Sequence, residues 1–193
     1  LRLRCGIAPV GAMLDAGLDV AIGMDSNSLA NDEDMLGEMR LVRNLHRLPR
    51  GLGFEPCPEA FEVFRMATLG GARATTYGDA IGRLTPGAAA DAVLIDYAAM
   101  GAPHIDAAVH PVEALLQLGA PRHVDSVMIA DTLVFDDGRF TTLDEAAIVE
   151  ELAQIAAAGP PERVHRVNAL MADIRPHVAA FYRDWFDDPL SFE

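Results

Sequence analysis

Apolar positions change their spacing several times along the chain, and each change predicts a new element. Residues 9–17 place apolar side chains at helical spacing behind a proline, which is favoured in a first helical turn, and Gly17 ends that pattern. Residues 20–23 are then apolar without alternation, as in a parallel strand covered on both faces. A helix followed directly by such a strand is typical of an α/β repeat.

Two further helices are predicted before residue 76. The first begins near Asn31 or Asp32, because either side chain can cap it. Residues 49–58 are rich in proline and glycine and predict a loop, and residues 59–75 form the second helix. The first helix has one apolar stripe at spacings of four, three and three, made of Met35, Met39, Val42 and Leu45.

Short strands and turns follow. Residues 80–97 predict a strand, a type II turn centred on Pro86-Gly87 and a second strand. Residues 125–144 predict another strand pair, in which Asp137-Gly138 is a strong hairpin signal. Between the two pairs, residues 110–119 predict a short helix.

The tail of the chain is predicted to be helical. Thr142 and Glu145 have the spacing of a capping box. Pro161 starts a last helical stretch that is interrupted near Pro176 and ends around Trp185. The helix after the capping box has an apolar stripe formed by Ile148, Leu152 and Ile155.

Composition narrows the classes of function. The 193 residues carry a formal net charge of −14, which repels phosphate backbones and anionic membranes, so neither nucleic acid nor membrane is an expected partner. The two cysteines, Cys5 and Cys57, lie far apart, which favours a reducing, cytoplasmic compartment over a disulfide scaffold or a cysteine zinc site. The chain has no signal-peptide pattern and no initial Met, and we expect it to be a piece of something longer.

The candidate chemistry lies at Asp25, directly after the buried strand. A turn aspartate that bonds its own backbone is one interpretation, and Asn31 is equally well explained as a helix cap. The other interpretation is positional, because residues just past the carboxyl ends of barrel strands form active sites, where a carboxylate can bind a metal or move a proton. Spacing alone gives the two interpretations equal weight.

Two other ligand-binding motifs are excluded. An EF-hand starting at Asp25 fails at three required positions, and residues 51–56 lack the third glycine of a dinucleotide fingerprint.

Histidine spacing gives no metal motif. The six histidines never form H-x-H or H-x-x-x-H, so each is interpreted as a surface or capping residue. They are His46, His104, His110, His123, His165 and His177.

Several ordered segments resemble the amidohydrolase superfamily, in its cytosine-deaminase and triazine-hydrolase-like branch. They are CGIAPVGAMLDAGLDVAIGMDSNSLANDEDMLGEMRLV (5–42), MATLGGARAT (66–75), IGRLTPGAAADAVLIDY (81–97) and HVDSVMIADTLVFDDGRFTTLD (123–144). The resemblance implies an α/β fold: the C-terminal part of a (β/α)8 barrel, the C-terminal half of a small β-sandwich and a helical tail. The corresponding boundaries are 1–75 for the barrel units, 76–143 for the sandwich portion with an inserted short helix, and 144–193 for the helices.

The same resemblance implies a metal-dependent hydrolase or deaminase acting at a C–N bond of a small heterocyclic substrate. Asp25 matches the aspartate that contacts the divalent metal, zinc or iron, and shuttles a proton, while Ser26, Asn27 and Asn31 are candidates for substrate contacts. The family's metal histidines have no counterpart here, so we expect the 193 residues alone to be inactive and the site to be completed by a longer protein. The alternative is a non-catalytic remnant or subunit that binds a partner through open barrel edges. A homo-oligomer is compatible with either interpretation.

Overall fold

The structure, a computed structural model, describes residues 7–24, 33–47 and 57–183. It has an α/β fold in which the chain divides into two compact units, Leu1–Leu143 and Asp144–Glu193. The first unit contains short helices and an antiparallel sheet, and the second contains two long helices. Among the described helices, none is both long and apolar enough to cross a membrane.

The helices of the first unit begin with α1 (Val10–Asp15) and α2 (Met35–Leu45). Next come α3 (Ala60–Arg65), a π-helical turn (Met66–Gly70) and α4 (Gly71–Arg73), which follow one another without a break. The remaining helices are α5 (Tyr97–Met100) and α6 (Pro111–Leu118), with 3-10 turns at Gly78–Ala80 and Pro121–His123. The helices predicted at 59–75 and 110–119 are confirmed.

The start of α2 differs from the prediction. Asp34, rather than Asn31 or Asp32, is the N-cap, and its Oδ1 accepts a hydrogen bond of 2.9 Å from the backbone N–H of Leu36. The predicted stripe is nevertheless correct in its central residues. Met39 is 3% exposed in the core, and Val42 packs against that core.

Residues 20–24 run without regular secondary structure, so the predicted strand at 20–23 is wrong for the described residues. A strand requires hydrogen bonds to a neighbouring strand. In the described part of the chain, the segment instead meets the π-helical turn, where the N–H of Ile22 donates to the carbonyl oxygen of Met66 at 3.3 Å.

One four-stranded antiparallel sheet follows, with its strands in sequence order. It consists of β1 (Ala92–Ile95), β2 (Val124–Ile129), β3 (Thr132–Asp136) and β4 (Arg139–Phe140). The hairpin at Asp137-Gly138 is confirmed, and so is the turn at Pro86-Gly87, where Thr85 oxygen accepts from Ala88 N–H and Gly87 has a φ of +91°. The first strand predicted within 80–97 is wrong, because residues 81–91 form bends and turns and only β1 joins the sheet.

The core of the first unit lies where α2, α3 and α6 meet. Its buried residues are Met39, Ala60, Val63 and Leu116, and Val63 is fully buried. Partly buried apolar side chains pack around these four residues, and Ile22 is one of them. The core therefore holds the segment that leads to residue 25.

The second unit consists of α7 (Glu145–Ala157) and α8 (Glu162–Tyr182). Asp144, rather than Thr142, caps α7, because its Oδ1 accepts from the N–H of Ala147 at 3.1 Å. The helix α8 continues through Pro176, contrary to the predicted interruption, since the fixed φ of proline is itself compatible with a helix. Trp185 lies outside the described residues.

Candidate functional site

The four predicted site residues, Asp25, Ser26, Asn27 and Asn31, lie outside the described residues. The structure describes both segments that flank them. Residues 20–24 lead to the predicted site, and residues 33–47 follow it. The contacts of these two flanks hold the chain before and after the predicted site.

The leading segment is held closely against the helix that runs from α3 to α4. A Cβ built on Gly70 would lie only 2.3 Å from the carbonyl oxygen of Val20, so the two backbones approach to a distance that only glycine permits. Two residues later, Ile22 bonds to the π-helical turn through its N–H. At the start of the segment, Asp19 Oδ1 lies 3.2 Å from Arg73 Nη1. The chain is therefore held at three points just before Asp25.

The trailing segment enters α2 through a constrained turn. Glu33 has a φ of +48°, in the left-handed region that side chains other than glycine rarely adopt. Asp34 then caps the helix. A non-glycine residue keeps such a φ only where its surroundings hold it, and these positions cluster at functional sites.

Two arginines of α2 fasten it to α6. Arg40 donates from Nε to the carbonyl oxygen of Leu116 at 3.0 Å and from Nη2 to that of Gly119. Arg43 Nη1 lies 2.6 Å from Glu113 Oε1. Arg43 Nη1 makes no regular hydrogen bond within the described residues, so the close contact with Glu113 is an ion pair. These contacts satisfy the end of α6 and fix α2 beside it.

The ion pair also sets the protonation of Glu113. The Arg43 guanidinium lowers the pKa of the Glu113 carboxyl below its ordinary value, burial opposes that change, and a 2.7 Å hydrogen bond from Gln117 Nε2 adds to the lowering. Glu113 also lines a cleft of about 260 Å³ at the amino ends of α3 and α6, together with Glu59, Phe61 and His110. Since Glu113 is paired and Glu59 and His110 take part in helix caps, the polar groups of this cleft have structural roles.

The histidines have structural roles where the structure shows their contacts. His110 caps α6, with Nδ1 accepting from Val112 N–H at 3.2 Å, as the capping interpretation predicts. His46 is the C-cap of α2, as the capping interpretation predicts, although it is buried rather than on the surface. Its Nδ1 and Nε2 lie 2.7 Å and 2.9 Å from the carbonyl oxygens of Val42 and Ala8. His123 is also buried, against expectation. The contact of His46 with Val42 is local, whereas the contact with Ala8 comes from a distant segment and no local sequence pattern predicts it.

A metal requires several donor side chains in one place. In residues 7–24, 33–47 and 57–183, no group of three or more His, Cys, Asp or Glu side chains could hold a metal ion. The described residues therefore do not fit a metal centre by themselves.

The sequence model of the amidohydrolase family matches residues 1–139. The chain belongs to the amidohydrolase family. The resemblance noted from its motifs is thereby confirmed, and the family match covers the first unit and excludes α7 and α8.

Among its relatives, this amidohydrolase chain is 33% identical over 162 residues to a 5-methylthioadenosine/S-adenosylhomocysteine deaminase of Syntrophobacter fumaroxidans, covering 83% of the chain and 36% of the relative. It is 36% identical over 152 residues to the enzyme of that name from Pelotomaculum thermopropionicum, covering 78% and 34%. The chain thus spans about a third of the length of the curated relatives it matches.

Solved structures agree with these relatives. A zinc-bound adenosine deaminase from Xanthomonas campestris superposes with a TM-score of 0.70 at 31% identity, over 79% of this chain and 34% of that one. A zinc complex of the atrazine chlorohydrolase TrzN from Arthrobacter aurescens TC1 gives 0.68 at 27% identity, over 79% and 33%. The deaminase and triazine-hydrolase likenesses confirm the predicted branch of the superfamily.

Proposed function

We propose that the chain is the C-terminal portion of a metal-dependent amidohydrolase that deaminates a small heterocyclic compound. Hydrolytic deamination breaks the C–N bond to an amino group of the heterocycle, forms a C–O bond from water and releases ammonia. The observation that carries the proposal is the similarity to 5-methylthioadenosine/S-adenosylhomocysteine deaminases over about four fifths of the chain. We therefore expect an adenosine-type nucleoside as the substrate class.

The proposed architecture places residues 1–75 in the last units of a (β/α)8 barrel, residues 76–143 in the C-terminal half of a β-sandwich, and residues 144–193 in a helical tail. The anchoring of residues 19–22 on the helix from α3 to α4 supports the barrel assignment. The antiparallel sheet, whose first two strands are separated by α5 and α6, supports the sandwich assignment.

In the proposed site, Asp25 contacts a divalent metal, zinc or iron, and carries a proton between the attacking water and the leaving group. Zinc is favoured because the neighbouring adenosine deaminase and TrzN structures contain it. The other metal ligands are proposed to lie in the rest of a longer protein, since this chain spans about a third of the length of its relatives. Ser26, Asn27 and Asn31 are proposed to contact the substrate. The acidic composition and the two widely separated cysteines support a cytoplasmic enzyme with no nucleic-acid or membrane partner.

The test measures ammonia release by the zinc-loaded, full-length protein from 5′-methylthioadenosine, S-adenosylhomocysteine and adenosine. We expect turnover of at least one of them, and a kcat lowered about 100-fold or more in Asp25→Asn, because proton transfer by a positioned side chain contributes about that much. Asp15→Asn, a change of the same kind on the exposed last turn of α1, should retain full activity.

Thermal unfolding of both variants shows whether the fold is intact. If Asp25→Asn keeps full turnover, the aspartate only stabilises a turn. If the protein with its complete set of ligands turns over none of the compounds, the non-catalytic subunit becomes the better interpretation.

A further inference from the structure

The helix α8 has an uncovered apolar stripe with the spacing of a coiled coil. Four apolar residues recur at intervals of four, three and four, and they are between 38% and 55% exposed: Val167, Met171, Ile174 and Val178. Such a 4-3 repeat lies on one side of a helix and is typical of a seam between two helices. Single exposed apolar residues are normal on a protein surface, whereas a continuous row of them marks an interaction site.

The helix α7 has a second stripe of the same kind. Its residues Ile148, Leu152 and Ile155 are 43%, 58% and 60% exposed. Every residue of α7 is exposed. The two helices of one copy do not pack along each other. Residues 158–161 connect the two helices. Gly159 has a φ of +76°, and Pro160 and Pro161 have φ angles fixed by their rings, which restricts how α7 and α8 can fold back on each other.

The two helices carry opposite charge. Glu145, Glu150 and Glu151 give α7 a net charge of −3 with no base, since it contains no Lys, Arg or His. The three arginines of α8 outnumber its two acids, which gives +1 with neutral histidines. At the positions that flank the α8 stripe stand Arg163 and Arg175, and no acid. Pairing α8 with a second α8 would bring these arginines together, whereas pairing it with α7 places them near Glu145 and Glu151, which flank the α7 stripe.

We propose that the second unit is a dimerisation element that docks on a second copy of this chain, with α7 of each copy against α8 of the other. A two-fold axis makes these two contacts identical and covers all four stripes at once. The second unit contains none of the proposed site residues, so this assembly does not depend on the proposed deaminase chemistry.

The first experiment measures the molar mass of the full-length protein by light scattering over a concentration series. We expect a dimer whose dissociation constant rises at least about tenfold in Met171→Glu/Ile174→Glu, since charge in the seam must be desolvated. Ala169→Glu/Ala172→Glu adds the same charge to the opposite face of α8 and should leave the dimer unchanged. Circular dichroism checks that both variants remain helical. A monomer at all concentrations, or equal effects of the two variants, overturns the proposal.

The second experiment tests which helix meets which. Arg163→Glu/Arg175→Glu should weaken the dimer, and adding Glu145→Arg/Glu151→Arg in the same chain should restore it, because the exchanged charges attract again. If the added reversal weakens the dimer further, α7 does not lie on α8 of the partner and the proposed arrangement is wrong.

Discussion

The carbonyl oxygen of Val20 lies so close to the Cα of Gly70 that a Cβ on residue 70 would stand 2.3 Å from it. This contact joins the segment that leads to Asp25 with the helix that starts in the core at Ala60. Because both partners are backbone atoms, neither can rotate away as a long side chain could. The segment that leads to the proposed catalytic aspartate is therefore held by a glycine 50 residues after Val20 in the sequence.

Gly70→Ala should destabilise the protein by about 1–3 kcal/mol, since overpacking forces the backbone to shift. The matched control is Gly71→Ala, where the nearest atom to an added Cβ is the Met66 carbonyl oxygen at 3.9 Å. Alanine favours a helix over glycine by about 1 kcal/mol, so this control should be neutral or stabilising. Urea denaturation of both variants measures the difference. Equal effects at the two positions would mean that the contact with Val20 is not tight.

The Arg43–Glu113 pair predicts a pH-dependent contribution to stability. Glu113→Gln should cost about 2 kcal/mol at pH 7, because it leaves the buried guanidinium of Arg43 without its carboxylate. The folded protein lowers the pKa of Glu113 from 4.5, so the contribution is complete above that value and is lost as the pH falls through the lower folded pKa. Urea denaturation of both proteins from pH 7 to pH 3 should show their free energies of unfolding converge.

A double variant separates the ion pair from general damage. Arg43→Met/Glu113→Gln removes both charges and should be more stable than Glu113→Gln alone, because no unpaired charge stays buried. If the double variant loses as much free energy of unfolding as Arg43→Met and Glu113→Gln lose together, the two side chains do not stabilise the protein through their interaction.

The elements that sequence predicts correctly are those that local information determines. The stripe through Met39 and Val42 follows from helical periodicity alone, and Asp137-Gly138 forms its turn because both residues tolerate a positive φ. The cap of α2 is different. Asp32, Glu33 and Asp34 stand in a row, and nothing in the sequence distinguishes which acid lies where it can accept from Leu36.

Long-range contacts explain the other differences. The segment 20–23 has the composition of a buried strand, but a ladder needs neighbours, and in the described residues it meets a helix. His46 is likewise buried because the carbonyl of Ala8, 38 positions away, reaches its ring. For the candidate site, the sequence motif predicts Asp25. The structure shows the contacts of residues 19–22 before it and the Asp34 cap after it.

The turn between β2 and β3 carries the last prediction, because it lacks the glycine that suits its backbone best. Ala130 and Asp131 have φ of +47° and +66°, the same conformation that Asp137 and Gly138 adopt in the next hairpin. Asp131→Gly should therefore stabilise the protein by about 0.5–1 kcal/mol, whereas Gly138→Ala should destabilise it by a similar amount. Thermal unfolding measures both changes. Opposite signs are expected because the two turns differ in sequence and share their backbone geometry, and a destabilised Asp131→Gly would show that the Asp131 side chain contributes more than its strain costs.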